Sequence, residues 1–143
     1  MQNTIGIHNL TYSYKGQSEA AISNLTSEIP CEGIVAIIGE SGSGKSTLLR
    51  LISGVYRKSD EWSGYYNGEI DVNGHKPHMI TSPEKISLMA QTPFLLNHLT
   101  VKDNILLPND LVSGSVKNGD SFYEVLIELL DFSEKEHLKP MEL

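Results

Sequence analysis

Ile34-Val35-Ala36-Ile37-Ile38-Gly39-Glu40-Ser41-Gly42-Ser43-Gly44-Lys45-Ser46-Thr47 decides how this chain is read. Gly39, Gly44, Lys45 and Ser46 are the fixed points of the G-x-x-x-x-G-K-[ST] pattern, a loop that cradles phosphates. The five apolar residues before it predict a short strand buried on both faces, which expects neighbours on either side. After it, Leu48, Leu49, Leu51 and Ile52 suit a helix packed on a sheet, ended by Gly54. Strand, glycine loop and helix together turn backbone N–H groups and a helix N-terminus toward a polyphosphate. The bland alternative is a glycine-rich turn that happens to hold a lysine.

The residue types follow from that chemistry. Gly39, Gly42 and Gly44 permit backbone angles that a Cβ resists. Ser41 and Ser43 fill the loop between them. Lys45 places a compact cation near the β- and γ-phosphates, where charge is neutralised in phosphoryl transfer. Ser46 offers a hydroxyl to Mg²⁺, a hard cation that takes oxygen ligands. Thr47 begins the helix, where its amide can face an anion.

At 143 residues the chain has the size of one domain. A formal net charge of −7, with Arg57-Lys58 the one adjacent basic pair, argues against a nucleic-acid partner. Polyphosphate affinity must then come from the loop itself. Cys31 stands alone and reads as a buried or idle thiol, without a disulfide inside the chain. The five histidines show no metal-ligand spacing. No apolar run approaches the ~20 residues that span a bilayer, and the first residues have no signal-peptide pattern. These features predict a cytoplasmic, soluble protein.

Around the loop, Thr4 to Leu10 alternates as a half-exposed strand does, and Ala21 to Ile29 is a weaker strand candidate. Tyr56 to Asn67 lacks periodicity and predicts a surface loop. Glu69 to Val72 predicts a strand ending at the turn pair Asn73-Gly74. Lys85 to Ala90 predicts a second buried strand that delivers Gln91 at its end, and Val101 to Leu106 a short helix. Ser121 and Glu124 form a capping-box pattern ahead of a stripe of Phe122, Val125, Leu126, Leu129 and Leu130. Glu134 to Glu142 reads as a solvated helix end.

Two further stretches give the loop a family. Tyr12-Ser13-Tyr14 lies upstream; Gln91 lies downstream in Met89-Ala90-Gln91-Thr92-Pro93-Phe94-Leu95, followed by Leu99-Thr100-Val101-Lys102-Asp103-Asn104-Ile105. With Gly33 to Leu49, this resembles the nucleotide-binding domain of an ATP-binding cassette (ABC) transporter over nearly the whole chain. The stretch from Gly74 to Gln91 is short, as in the nitrate, sulfonate and taurine importer subgroup. The resemblance implies an α/β fold of the P-loop NTPase class. It would comprise an antiparallel β subdomain, a partial core sheet and the start of a helical subdomain, truncated before the signature motif.

The resemblance also implies roles. Tyr14 matches the A-loop aromatic that stacks on adenine, with Tyr12 the competing candidate. Gly39 to Thr47 is the Walker A loop, binding ATP and, through Ser46, Mg²⁺. Gln91 matches the Q-loop glutamine that approaches Mg²⁺ and the attacking water, so Lys45 and Gln91 carry the catalytic roles. Implied partners are transmembrane permease subunits, which would hold the protein at the inner face of the membrane, and a second nucleotide-binding domain in a head-to-tail dimer. By the family's order, Leu143 would open the signature sequence; Walker B, the D-loop and the switch histidine would follow it. The implied function is ATP-driven solute transport. The alternatives are a non-hydrolysing nucleotide-binding fragment, a remnant of a disrupted gene, and a P-loop kinase, which gives no reason for Tyr14 or Gln91.

Overall fold

The computed structural model describes residues 4–56, 64–79, 86–92, 94–113 and 120–143, in two compact units, Met1–Leu88 and Met89–Leu143. The first unit is built on an antiparallel sheet of three strands: β1 (Thr4–Tyr14), β2 (Ile22–Pro30) and β3 (Gly64–Val72). The spatial order is β2-β1-β3, with Ile7 opposite Ser27 on one side and Ile70 on the other. β1 is central because its alternation is the most apolar. Ile7, Leu10 and Tyr12 all face inward, although Ile7 and Leu10 are three residues apart. A bulge absorbs the extra residue. Asn9 sits at φ 48°, and the register shifts between Ile7 and Leu10, which returns the apolar side chains to one face. Asn73 and Gly74, at φ 54° and 79°, close a tight turn between paired Val72 and His75, as the sequence predicts.

Helix α1 (Lys45–Ile52) lays Leu48, Leu51 and Ile52 on Ile7, Leu10, Tyr12, Ile22 and Ile70. Each fully buried aliphatic side chain stabilises this layer by about 1.5–3 kcal/mol. Gly54, at φ 73°, ends the helix.

Several expectations for this unit are corrected. Ile34 to Ile38 pairs with none of the three strands, and Ile34 and Ile38 are 101% and 90% exposed. Apolar composition supplies the side chains of a buried strand, but a ladder also needs partner N–H and C=O groups, and no described strand offers them. Ile86 to Ala90 likewise forms no ladder, and Lys85 lies outside the described residues. Tyr56 to Asn67 is not simply a loop: β3 begins at Gly64, and Tyr56 packs against the core. Trp62 lies outside the described residues. Of the two readings of Cys31, buried or idle, exposure of the thiol removes only the first.

The second unit contains α2 (Val101–Ser113) and α3 (Asp120–Leu129). Thr100 caps α2: its hydroxyl accepts the Asp103 amide at 3.1 Å and donates to the Asp103 carboxylate at 2.7 Å. The Asn104 side chain ties down the segment before the helix, donating to the carbonyls of Leu96, Leu99 and Thr100 and accepting from the Leu96 amide at 2.8 Å. The core is Val101, Tyr123 and Ile127.

The inward face of α3 therefore differs from the predicted stripe. Tyr123 and Ile127 are buried, while Val125 and Leu129 are 63% and 78% exposed. The helix begins at Asp120, one residue before Ser121, whose side chain lies outside what the structure describes. A helix this rich in apolar residues carries more than one apolar stripe, so periodicity alone does not choose a face. The choice follows the Tyr123 hydroxyl, which donates to Glu136 at 2.6 Å; burial and that bond push the phenol's pKa up. The charged tail is also more than solvated surface. The carbonyls of Glu136 and Leu138 accept the Lys102 and Val101 amides at 3.0 and 2.8 Å, which supplies acceptors to the start of α2.

Candidate functional site

The loop before α1 turns sharply, with the Ser43 amide donating to the Glu40 carbonyl at 3.2 Å. Gly42 and Gly44 hold φ of 84° and 88°. At Gly44 the conformation is doubly enforced: a Cβ there would lie 2.3 Å from the Ala21 carbonyl oxygen. Glycine thus seats the start of α1 against the chain entering β2. The first intrahelical bond is from Leu48 to the Gly44 carbonyl, so the amides of Lys45, Ser46 and Thr47 have no intrahelical acceptor. Gly44 gives no side-chain cap and the first turn holds no acidic residue, which leaves the positive end of the helix dipole open to an anion.

Lys45 folds back over its own loop. Its ammonium donates to the carbonyls of Gly39 and Glu40 at 2.9 and 2.6 Å and to the Ser43 hydroxyl at 3.3 Å. Phosphate oxygens are stronger acceptors than these groups, so an incoming polyphosphate can take over the same three donors.

Tyr14, the last residue of β1, reaches this helix. Its hydroxyl lies 2.7 Å from the Thr47 hydroxyl, and Thr47 is 5% exposed. Tyr14, Gln17 and Glu19 and residues 42–47 line one cleft of about 360 Å³. Tyr12, the competing aromatic, is 1% exposed and closed to a ligand; it packs edge-on to Tyr14 at 5.1 Å between ring centroids.

The structure thus brings Tyr14, Gly42, Ser43, Gly44, Lys45, Ser46 and Thr47 to one cleft. Gly39 contributes a carbonyl to Lys45, and Ser41 is exposed in the turn without lining the cleft. Gln91 is exposed at a bend in the second unit. Ser46, an exposed hydroxyl lining the cleft, is an oxygen donor suited to Mg²⁺, which takes few protein ligands and completes its shell with phosphates and water. The sequence missed Gln17, Glu19 and the Thr47 hydroxyl as parts of the site. It also missed Tyr56, which stands behind Tyr14; the aromatic enrichment of its neighbourhood was the available signal.

Comparison with known proteins gives the family of the chain. The family described as ABC transporter matches residues 22–142. A methionine import ATP-binding protein, MetN 2 of Paraburkholderia xenovorans, is 33% identical over 132 residues, covering 90% of this chain and 33% of that protein. The corresponding MetN of Desulfitobacterium hafniense is 32% identical, covering 97% of this chain and 41% of the relative. The chain therefore spans well under half the length of these relatives. A solved structure, the dimeric post-hydrolysis state of the ATP-binding cassette MJ0796 bound to ADP and Pi, superposes with a TM-score of 0.73 at 26% identity. That match covers 97% of this chain and 62% of the other.

Proposed function

Because the chain belongs to the ABC transporter family, we propose that it is the ATP-binding part of a transporter, coupling ATP binding and hydrolysis to solute movement through separate permease subunits. The observation that carries this reading is the single cleft shared by Tyr14 and residues 42–47. An aromatic face beside a row of helix N-terminal amides and a lysine matches a base joined to a polyphosphate.

In this reading Tyr14 stacks on adenine, the amides from Gly42 to Thr47 hold the phosphates, and the Lys45 ammonium leaves its carbonyls for the β- and γ-phosphates. Ser46 would offer its hydroxyl to Mg²⁺, which when bound neutralises charge on the phosphates. Residues 4–30 then act as A-loop surroundings, Gly39–Thr47 as Walker A, and Gln91 as the Q-loop residue. The working protein would pair head-to-tail with a second nucleotide-binding domain and sit at the inner face of the membrane against its permease. The import names of the methionine relatives support the importer direction.

The test is calorimetric titration with Mg·ATP and with Mg·tripolyphosphate, for the parent chain and Tyr14→Ala. Stacking is worth about 1–3 kcal/mol per base, so Tyr14→Ala should weaken ATP by roughly 5- to 150-fold and spare tripolyphosphate. Equal loss for both ligands refutes the stacking role.

A further inference from the structure

Tyr56 follows α1, where the sequence predicts only a surface loop, yet it is fixed from three directions. Its ring lies parallel to Tyr12, at 7° and 5.6 Å between centroids. It meets Tyr14 edge-on, at 90° and 6.1 Å. Arg50, on α1, holds it from the helix: the guanidinium lies 5.8 Å from the ring centroid and 3.4 Å from the phenolic oxygen. The Tyr56 amide also donates to the Arg50 carbonyl at 3.2 Å.

Tyr14 is therefore braced at both ends of its side chain. Its hydroxyl meets Thr47, and its ring meets Tyr12 and Tyr56. A tyrosine at the end of a strand, facing a cleft, has two soft torsions; a stacking platform works only if both are held before the ligand arrives. Tyr12 fixes the ring from the strand. Tyr56 fixes it from the helix that carries the phosphate loop, so the base wall and the phosphate loop share one support.

We infer that Tyr56, held by Arg50, is a positioning residue for Tyr14 and thereby sets the contribution of the base to nucleotide affinity. This rests on the proposed stacking role of Tyr14. A purely structural role would damage the phosphate loop as much as the base wall, whereas a positioning role separates them.

The experiment compares Mg·ATP with Mg·tripolyphosphate on the full chain, using Tyr56→Ala, Tyr56→Leu and Tyr56→Phe, with a thermal melt of each. Losing the aromatic contacts should weaken ATP by about threefold to tenfold and leave tripolyphosphate within about twofold. Tyr56→Phe keeps the ring and should restore ATP affinity. If Tyr56→Ala does not fold, Tyr56→Leu fills the space without an aromatic edge and reads the same split. Unchanged ATP affinity, or equal loss for both ligands, overturns the role of Tyr56 and leaves the nucleotide site standing. A parent chain that binds neither ligand overturns the site and this inference together.

Discussion

Replacing Gly44 by alanine tests how the loop is built, because the same change at Gly42 serves as its control. Both glycines lie in left-handed backbone, at φ 88° and 84°, so both substitutions incur the left-handed penalty of about 1–2 kcal/mol. They differ in what the new methyl meets. At Gly42 nothing lies within 4 Å; at Gly44 the Ala21 carbonyl oxygen would be 2.3 Å away and Ile22 Cγ1 3.2 Å away. A backbone oxygen cannot swing aside as a side chain can, so the start of α1 must move off the chain entering β2. Overpacking of this kind adds about 1–3 kcal/mol. Gly44→Ala should therefore cost roughly 2–5 kcal/mol, lowering Tm by about 2–4 °C per kcal/mol at this chain length. Moving α1 also stretches the 2.7 Å contact between Tyr14 and Thr47, so Mg·ATP affinity should fall with stability. Urea unfolding and Mg·ATP titration of both variants make the comparison. Equal shifts for the two substitutions would refute the close approach to Ala21.

Asn104→Ala removes four hydrogen bonds that hold the segment before α2, and should destabilise the second unit by about 1–3 kcal/mol. Hydrogen exchange at the Leu96 amide should accelerate; an unchanged rate contradicts this. Tyr123 predicts a pH dependence. Its folded pKa is raised, by burial first and then by Glu136, so its stabilisation is fully present below the unfolded value near 10 and is lost as pH rises above it. Unfolding midpoints at about pH 9 and 11 should therefore separate the parent from Tyr123→Phe at the lower pH and draw them together at the higher. A constant separation counts against it.

The parts legible in the sequence are those fixed by local chemistry. The glycine pattern at 39–44 requires a loop, Leu48, Leu49, Leu51 and Ile52 suit a helix packed on a sheet (Leu49 alone of the four stays exposed), and Asn73-Gly74 requires a tight turn. The sequence left Tyr14 and Tyr12 as rivals; burial separates them, with Tyr14 lining the cleft and Tyr12 enclosed. What escaped depends on partners distant in sequence. The bulge at Asn9 exists to keep Leu10 and Ile7 on one face, which simple alternation does not reveal. The face of α3 was settled by a hydroxyl seeking Glu136, and Tyr56 by two aromatic rings more than forty residues upstream. Ile34 to Ile38 shows the reverse: its side chains say strand, but strand formation is a property of pairs.

The most direct measurement is the equilibrium affinity of Lys45→Ala for Mg·ATP, beside the parent chain. Among the described residues the lysine ammonium bonds its own loop, through two carbonyls and one hydroxyl, so its removal should leave the melting curve nearly unchanged. ATP binding should be abolished. A Lys45→Ala chain that keeps the parent's fold and binds Mg·ATP with the parent's affinity would contradict the account.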